Sequence, residues 1–386
     1  MKPRIIALYL PQFHPIPEND KWWGPGFTEW TNVAKAKPLF RGHQQPRIPA
    51  DLGFYDLRLP ETRELQASLA REAGIEGFCY YHYWFGHGRQ LLERPFNEVV
   101  ASGKPDFPFC ICWANHTWSN KTWERKSALQ KESVLIEQQY PGVDDDVAHF
   151  HSLLAAFKDR RYMKVDGKLL FVVYNPYDMP HAGQFIETWR RLADENGLPG
   201  FHFVGMTPST LTFKILEDGT RQRVLPNLES SADIFRSVLG MGFDAINSFG
   251  KRRGEMMYEG KWKNLAKTIL RRAGMPTGSM KYDYARTVRH YFAPEDAWEN
   301  VYPTILPQWD RTPRAASYDG VYVHVTPEKF GQHVWQALRM VKDKENEHRI
   351  LFLKSWNEWG EGNYVEPDLQ FGHGFLDVLR QCVMDF

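Results

Sequence analysis

Two glutamates, Glu358 and Glu361, stand three residues apart in the segment LKSWNEWGEGNYVEPD, directly after the apolar run Ile350–Leu353. Trp356, Asn357, Trp359 and two glycines surround them. Such a pair is either a set of solvated loop charges or the working acids of an enzyme. If the chain tightens into a helical turn after Trp356, residues three apart share a side, with roughly 5–6 Å between Cβ atoms; if it stays extended, they point to opposite faces. Gly360 and Gly362 make the tighter path accessible, and Gly360 leaves room for a ligand to approach the backbone. Cleavage of a glycosidic bond needs one acid to protonate the departing oxygen and a second carboxylate to assist displacement at the anomeric carbon. Crowding among indole rings would raise one pKa and leave the other group ionised.

The elements that must position this pair are short apolar runs alternating with helical patterns. Eight runs are read: Ile5–Leu10, Gly77–Tyr83, Phe109–Trp113, Leu169–Tyr174, His202–Met206, Asp244–Phe249, Tyr302–Leu306 and Ile350–Trp356. Between them, Pro60–Gly74, Val143–Asp159, Ala182–Gly197 and Thr326–Glu345 carry amphipathic spacing with proline, threonine or glycine at their ends. Eight β/α units in 386 residues predict an α/β fold, a (β/α)8 TIM barrel with elaborated βα loops, with a doubly wound open sheet as the alternative. The loop after the first run has no GxGxxG and is read as opening no helix, which disfavours a dinucleotide fold. The whole chain, 1–386, is read as one catalytic domain with long loops at 11–52 and 207–242.

In a barrel, residues just past the strands converge on one face. Trp23, Glu29 and Trp30 follow the first run; Tyr81, His82, Tyr83 and Trp84 close the second; Trp113, Asn115, His116 and Trp118 the third; Asn175 the fourth; Trp309 and Asp310 the seventh. Aromatics make up 15% of the chain, more than a core demands, so their clustering predicts indole and phenol platforms for sugar rings, with amides binding hydroxyls. Each tryptophan has the alternative of plugging the core. Glu29, Asp310 and Glu366 are candidates for a third essential carboxylate or for loop hydrogen bonding.

A formal net charge of +1, with no long basic tract, gives no field to draw nucleic acid or anionic lipid. No stretch is long enough to cross a membrane, and no signal peptide is visible at Met1, so a cytoplasmic protein is expected unless an export signal has been trimmed. The four cysteines show no CxxC, and His14, His82 and His116 lie in different loops, so neither a metal nor another cofactor is expected. Asp144–Asp146 sit at the start of an apparent helix, where acids favour the positive dipole end over metal binding.

The segment Ser355–Asp368 resembles the signature of WbsX-type proteins related to glycoside hydrolase family 99, the endo-α-mannosidase/endo-α-mannanase family. GFCYYHYWF, FCICWANHTW, KYDYARTV and QWDRTPR follow the group's pattern in order. The resemblance implies a (β/α)8 barrel and a retaining, possibly endo-acting hydrolase of α-linked mannose-like residues in a bacterial polysaccharide. By motif position it implies that Glu358 takes the proton of the substrate's own 2-hydroxyl, forming a 1,2-anhydro sugar, while Glu361 is general acid and then base. Asn357 would bind a hydroxyl or hold Glu358. The group's usual WANENW reads here WANHTW, and glycine stands at 360 where the hydrolases more typically carry histidine. WbsX-type proteins are commonly labelled glycosyltransferases of O-antigen or capsule assembly, so a transferase or a non-catalytic carbohydrate-binding protein is the alternative.

Overall fold

The computed structural model describes residues 2–120, 132–211, 213–215, 221–223, 228, 230–260, 281–315 and 320–386. Eight parallel strands form its centre: β1 (Arg4–Tyr9), β2 (Ile75–Trp84), β3 (Phe109–Trp113), β4 (Lys168–Val173), β5 (Phe201–Pro208), β6 (Ala245–Phe249), β7 (Val301–Ile305) and β8 (Ile350–Leu353). Each pairs with its neighbour in sequence, and β1 pairs with both β2 and β8, so the sheet closes on itself as a (β/α)8 barrel. The register at the closure runs Arg4↔Ile350 through Ala7↔Leu353. A parallel strand covered on both faces is apolar along its length, and β3, FCICW, is buried at all five positions, including Cys110 and Cys112.

Helices cover the outside: α1 (Pro60–Glu72), α2 (Arg94–Ser102), α3 (Val143–Phe157), α4 (Ala182–Glu195), α5 (Ala232–Gly240), α6 (Pro327–Val341) and α7 (Gly374–Asp385). Their sequence signals act as expected. Gly74 and Gly197 take left-handed φ values of 80° and 67° just past α1 and α4, where a side chain would be strained. Thr326 caps α6, its hydroxyl accepting from Lys329 N at 3.4 Å, with proline next. Asp144–Asp146 lie in the first turn of α3, and Asp145 accepts a bond from Trp84 Nε1 at 2.9 Å. Burial of Phe185, Ile186, Trp189 and Leu192 seats α4 on the sheet.

Three features differ from the sequence reading. The long segment after β1 contains two short helices, Pro17–Trp23 and Glu29–Lys35, the second opened by Thr28, because PEN and TEW supply proline and acids at helix starts. The last strand ends at Leu353 rather than at Trp356, since the chain must leave the barrel wall there to make the turn that carries the glutamates. The long loop read at 207–242 lies partly outside the described residues, and its described part is corrected to include the end of β5 and all of α5, whose buried Phe235 and Val238 pack it on the barrel. Among the described residues no helix is long and apolar enough to cross a membrane.

Candidate active site

Beyond β8 the chain forms a small hairpin in which Asn357–Glu358 pairs antiparallel with Asn363–Tyr364. Its bend is a single 3-10 turn, Trp359–Glu361, closed by Gly362 at φ 58°. A Cβ at Gly362 would come within 2.8 Å of Asp310 N, so both the backbone angle and the space require glycine. The turn brings the two carboxylates to the same side: Glu361 Oε1 lies 3.0 Å and Glu358 Oε2 3.7 Å from the same nitrogen, Nη1 of Arg314.

Arg314 sits in the short helix Thr312–Ala315 after β7, buried, and grips a third carboxylate, Glu29, through Nε and Nη2 at 2.9 Å each. Glu29 comes from the helix after β1 and fills the space beside Gly360, where a Cβ would lie 2.6 Å from Glu29 Cδ and 2.9 Å from Arg314 Nε. The room expected for a ligand at Gly360 is therefore taken by the protein's own ion pair, which also explains why a larger residue is not accommodated at 360. Lys354 completes the cluster, its Nζ 3.4 Å from Glu358 Oε1 and 3.0 Å from the Tyr81 hydroxyl. Glu361 additionally accepts from Asn363 Nδ2 at 3.3 Å and has the Arg311 guanidinium beside it as an ion pair, Nε at 3.3 Å, and Asn363 is itself held by Ser355 Oγ at 2.9 Å.

These contacts split the pair. Burial, reinforced by the neighbouring Glu361 charge and opposed by Lys354 and Arg314, pushes Glu358 up to about 7. Burial also works against ionising Glu361, but Arg314, Lys354 and Arg311 outweigh it and bring that carboxyl down to about 2. The geometry accounts for the order: Glu361 has the closer cations and an amide donor, whereas the nearest cations of Glu358 stand farther off. Because the two carboxyls act on one another's ionisation, the pair holds a single proton, on Glu358, and gives it up around neutral pH. Lys354 stays above the usual lysine range despite its burial because Glu358 faces it.

The residues expected to bind sugar divide into three groups. Tyr81, Tyr83 and His116 lie around the pair. The charges of Glu358 and Glu361 bear on them, and burial holds His116 down at about 4, the nearby Glu361 opposing. Trp23 and Asn175 are half-buried, and Trp309 has Lys251 Nζ 4.1 Å above its ring. The remaining tryptophans are corrected to internal anchors. Trp356 and Trp359 are fully buried, the latter stacked on Tyr364 at 3.7 Å and bonded to Glu366 at 2.6 Å. Trp30 donates to Tyr55 O, Trp113 to Trp84 O and Trp84 to Asp145, and Trp118 is enclosed by Trp22, Tyr83 and Phe85. Each indole N–H of those three donors is thus spent on the fold.

The amides and outlying acids are corrected in the same sense. Asn357 bridges the backbone of Leu10, accepting from its N–H at 2.7 Å and donating to its carbonyl at 3.0 Å, instead of facing a sugar hydroxyl or Glu358. Asn115 does likewise for Asn175, accepting from its N–H and donating to its carbonyl. Asp310 is 1% exposed and its oxygens accept from His43, Gln45 and Thr312, while its N–H donates to Glu361 O at 2.8 Å; it fixes the turn from behind. Glu366 collects Tyr55, Gln66 and Trp359, and burial lifts it to about 7. His14 and His82 are turned to Pro11 O and to His149. Arg314, Lys354, Arg311 and Tyr174 were missed by residue type. The available signal was that buried acids require cations, and QWDRTPR and LKSWNE carry basic residues just past the ends of the seventh and eighth apolar runs.

Residues 5–379 match the family model described as "Glycosyltransferase WbsX". Two curated relatives, both described as "Uncharacterized protein WxcX" from Xanthomonas campestris pv. campestris, strains B100 and ATCC 33913, are 34% identical over 98% of this chain and 49% of their own length. The chain thus spans about half the length of the curated relatives it matches. Among solved structures, a "Glycoside hydrolase-like protein" superposes with TM-score 0.57 at 13% identity, covering 99% of this chain and 94% of that one. The GH99 endo-alpha-mannosidase from Bacteroides thetaiotaomicron, in complex with bis-tris-propane, superposes with TM-score 0.53 at 11% identity, covering 99% and 97%. At such identities the likeness is one of fold.

Proposed function

Since the chain belongs to the WbsX family and has the barrel fold of family 99 glycoside hydrolases, we propose that it is a retaining glycoside hydrolase acting on α-linked, mannose-like residues of a bacterial polysaccharide. The observation that carries this reading is the pair Glu358–Glu361, two carboxyls on one guanidinium nitrogen that hold a single proton until the pH reaches about 7. One acid and one base is the stoichiometry that glycosidic cleavage requires.

In the proposed reaction Glu358 accepts the hydrogen of the sugar's 2-hydroxyl, O2 bonds to C1, the C1–O bond to the departing sugar breaks, and Glu361 gives its proton to that oxygen. Water then enters at C1 from the face opposite O2, losing a proton to Glu361, while O2 recovers its hydrogen from Glu358. Two inversions leave the anomeric configuration retained. In the empty site the shared proton rests on Glu358, so the reaction needs it on Glu361 once substrate is seated. The hydrogen bond between the carboxyls is the direct route, and a 2-hydroxyl donating to Glu358 stabilises its ionised form. Arg314 and Lys354 stay fixed and compensate the charge throughout.

The test is a pair of substitutions read on two substrates. With an α-mannoside whose aryl leaving group needs no protonation, Glu361→Gln should retain far more turnover than Glu358→Gln; with a mannan oligosaccharide both should fail while affinity persists. Equal losses on both substrates would remove the role assignment, and unchanged turnover in both variants would remove the hydrolase reading. The family's description as a glycosyltransferase favours a transferase as the second reading. It demands that product form only when a sugar nucleotide is supplied, whereas a pure binder would show affinity without turnover in either assay.

A further inference from the structure

Behind Asp310, on the same end of the barrel as the glutamate pair, lies a groove of about 380 Å3 built from the loops that follow β1, β6, β7 and β8. Its frame is the two-stranded parallel pair Lys281–Asp283 with Val321–Val323, tied to the site by Tyr322 N donating to Trp309 O at 2.8 Å. His43 on its wall bonds Asp310 Oδ2 at 2.8 Å, and Asp310 in turn donates to the backbone of Glu361, so groove and pair are two hydrogen bonds apart.

The lining is cationic and aromatic. Arg41 and Lys281 are exposed, Lys281 Nζ standing 3.7 Å over the Phe40 ring, with Phe371 also on the wall. Arg47 is only 8% exposed, yet its Nη1 meets the neutral Gln370 amide at 3.0 Å and its Nε has no protein partner among the described residues. No aspartate or glutamate lines the groove among the described residues, and the nearby Asp310 and Asp283 are occupied by His43 and His324. A buried guanidinium without a carboxylate is costly. Arg314, the buried arginine at the glutamate pair, has one.

We propose that this groove is a subsite for the carboxylate of an acidic sugar, Arg47 receiving it, Arg41 and Lys281 adding charge at the rim and Phe371 covering the pyranose, since the Phe40 ring is already held between Lys281 and His43. Resting on the polysaccharide reading above, this makes the natural polymer one that carries uronate-type residues beyond the cleaved linkage. A metal-chelated diphosphate fits less well, since its ion needs carboxylate ligands that the lining does not offer.

Methyl α-glucuronide, methyl α-glucoside and uridine diphosphate, titrated against the full chain carrying Glu361→Gln and followed by ligand-observed NMR, test the proposal. The glucuronide should bind saturably and the glucoside should not; Arg47→Met should weaken the glucuronide about tenfold; and Arg41→Ala with Lys281→Ala should weaken it severalfold, with binding falling as salt rises. Should Arg47→Met fail to fold, the exposed double variant decides. Equal binding of both glycosides, affinity indifferent to the substitutions, or uridine diphosphate binding in preference to the glucuronide would each overturn it. Because binding is read without turnover, its loss leaves the hydrolase reading standing, and lost hydrolysis with glucuronide binding intact removes only that reading.

Discussion

Replacing Gly360 by alanine should be among the most damaging small changes in this chain, although it adds one methyl group. The new Cβ would overlap the Glu29 carboxylate, at 2.6 Å from Cδ and 2.9 Å from Arg314 Nε. Backbone and barrel hold the turn on one side and Arg314 holds Glu29 on the other, so the side chain has to withdraw and both of its 2.9 Å bonds to Arg314 break. Separating a buried ion pair costs about 3–5 kcal/mol, a large share of the roughly 5–15 kcal/mol that holds a domain folded. Urea unfolding of Gly360→Ala, Glu29→Ala and the double variant measures it. Since both changes break the same pair, the double variant should lose little more than Glu29→Ala alone. A loss below about 0.5 kcal/mol in Gly360→Ala, or losses that simply add, would refute the argument, because the overlap would then be relieved elsewhere.

Further outcomes follow from the same contacts. Turnover should fall as pH rises through about 7, where Glu358 gives up the pair's proton, and a kcat/KM profile flat from pH 6 to 9 would contradict this. Lys354→Met removes a cation that lowers Glu358, so that alkaline limb should move to higher pH; an unmoved limb, or one moved downward, counts against the role given to Lys354. Asn357→Ala leaves the buried Leu10 N–H and C=O without partners and should lower stability by about 1–3 kcal/mol in urea unfolding. Carbohydrate affinity, measured by titration, should hardly change; the reverse pattern would return Asn357 to the sugar.

The eight strands were legible because a strand buried on both faces must be apolar end to end, and runs such as FCICW and KLLFVV have little alternative. The glutamate pair was legible for a different reason: three-residue spacing with two glycines permits a turn that presents both side chains together. What the linear order hid is the pairing of charges across distant segments. Glu29 and Arg314 lie 285 positions apart and meet because barrel closure seats β8 between β7 and β1, so the segments after those two strands converge over it. The tryptophans misled since an indole after a strand reads the same whether it faces a ligand or donates its N–H to a carbonyl, as Trp30 and Trp113 do. Amides carry the same ambiguity, which Asn357 and Asn115 resolve toward the backbone.

Carboxyl-carbon NMR of glutamate-labelled protein, with Glu358→Gln and Glu361→Gln for assignment, addresses the shared proton directly. One carboxyl should titrate near pH 7 and the other should stay ionised down to the acid limit of the fold, and Glu361→Gln should bring the remaining Glu358 titration down as its neighbour's charge is removed. Two carboxyls both ionised by pH 5, each indifferent to substitution of the other, would mean that no proton is shared and that the pair lacks the acid the reaction requires.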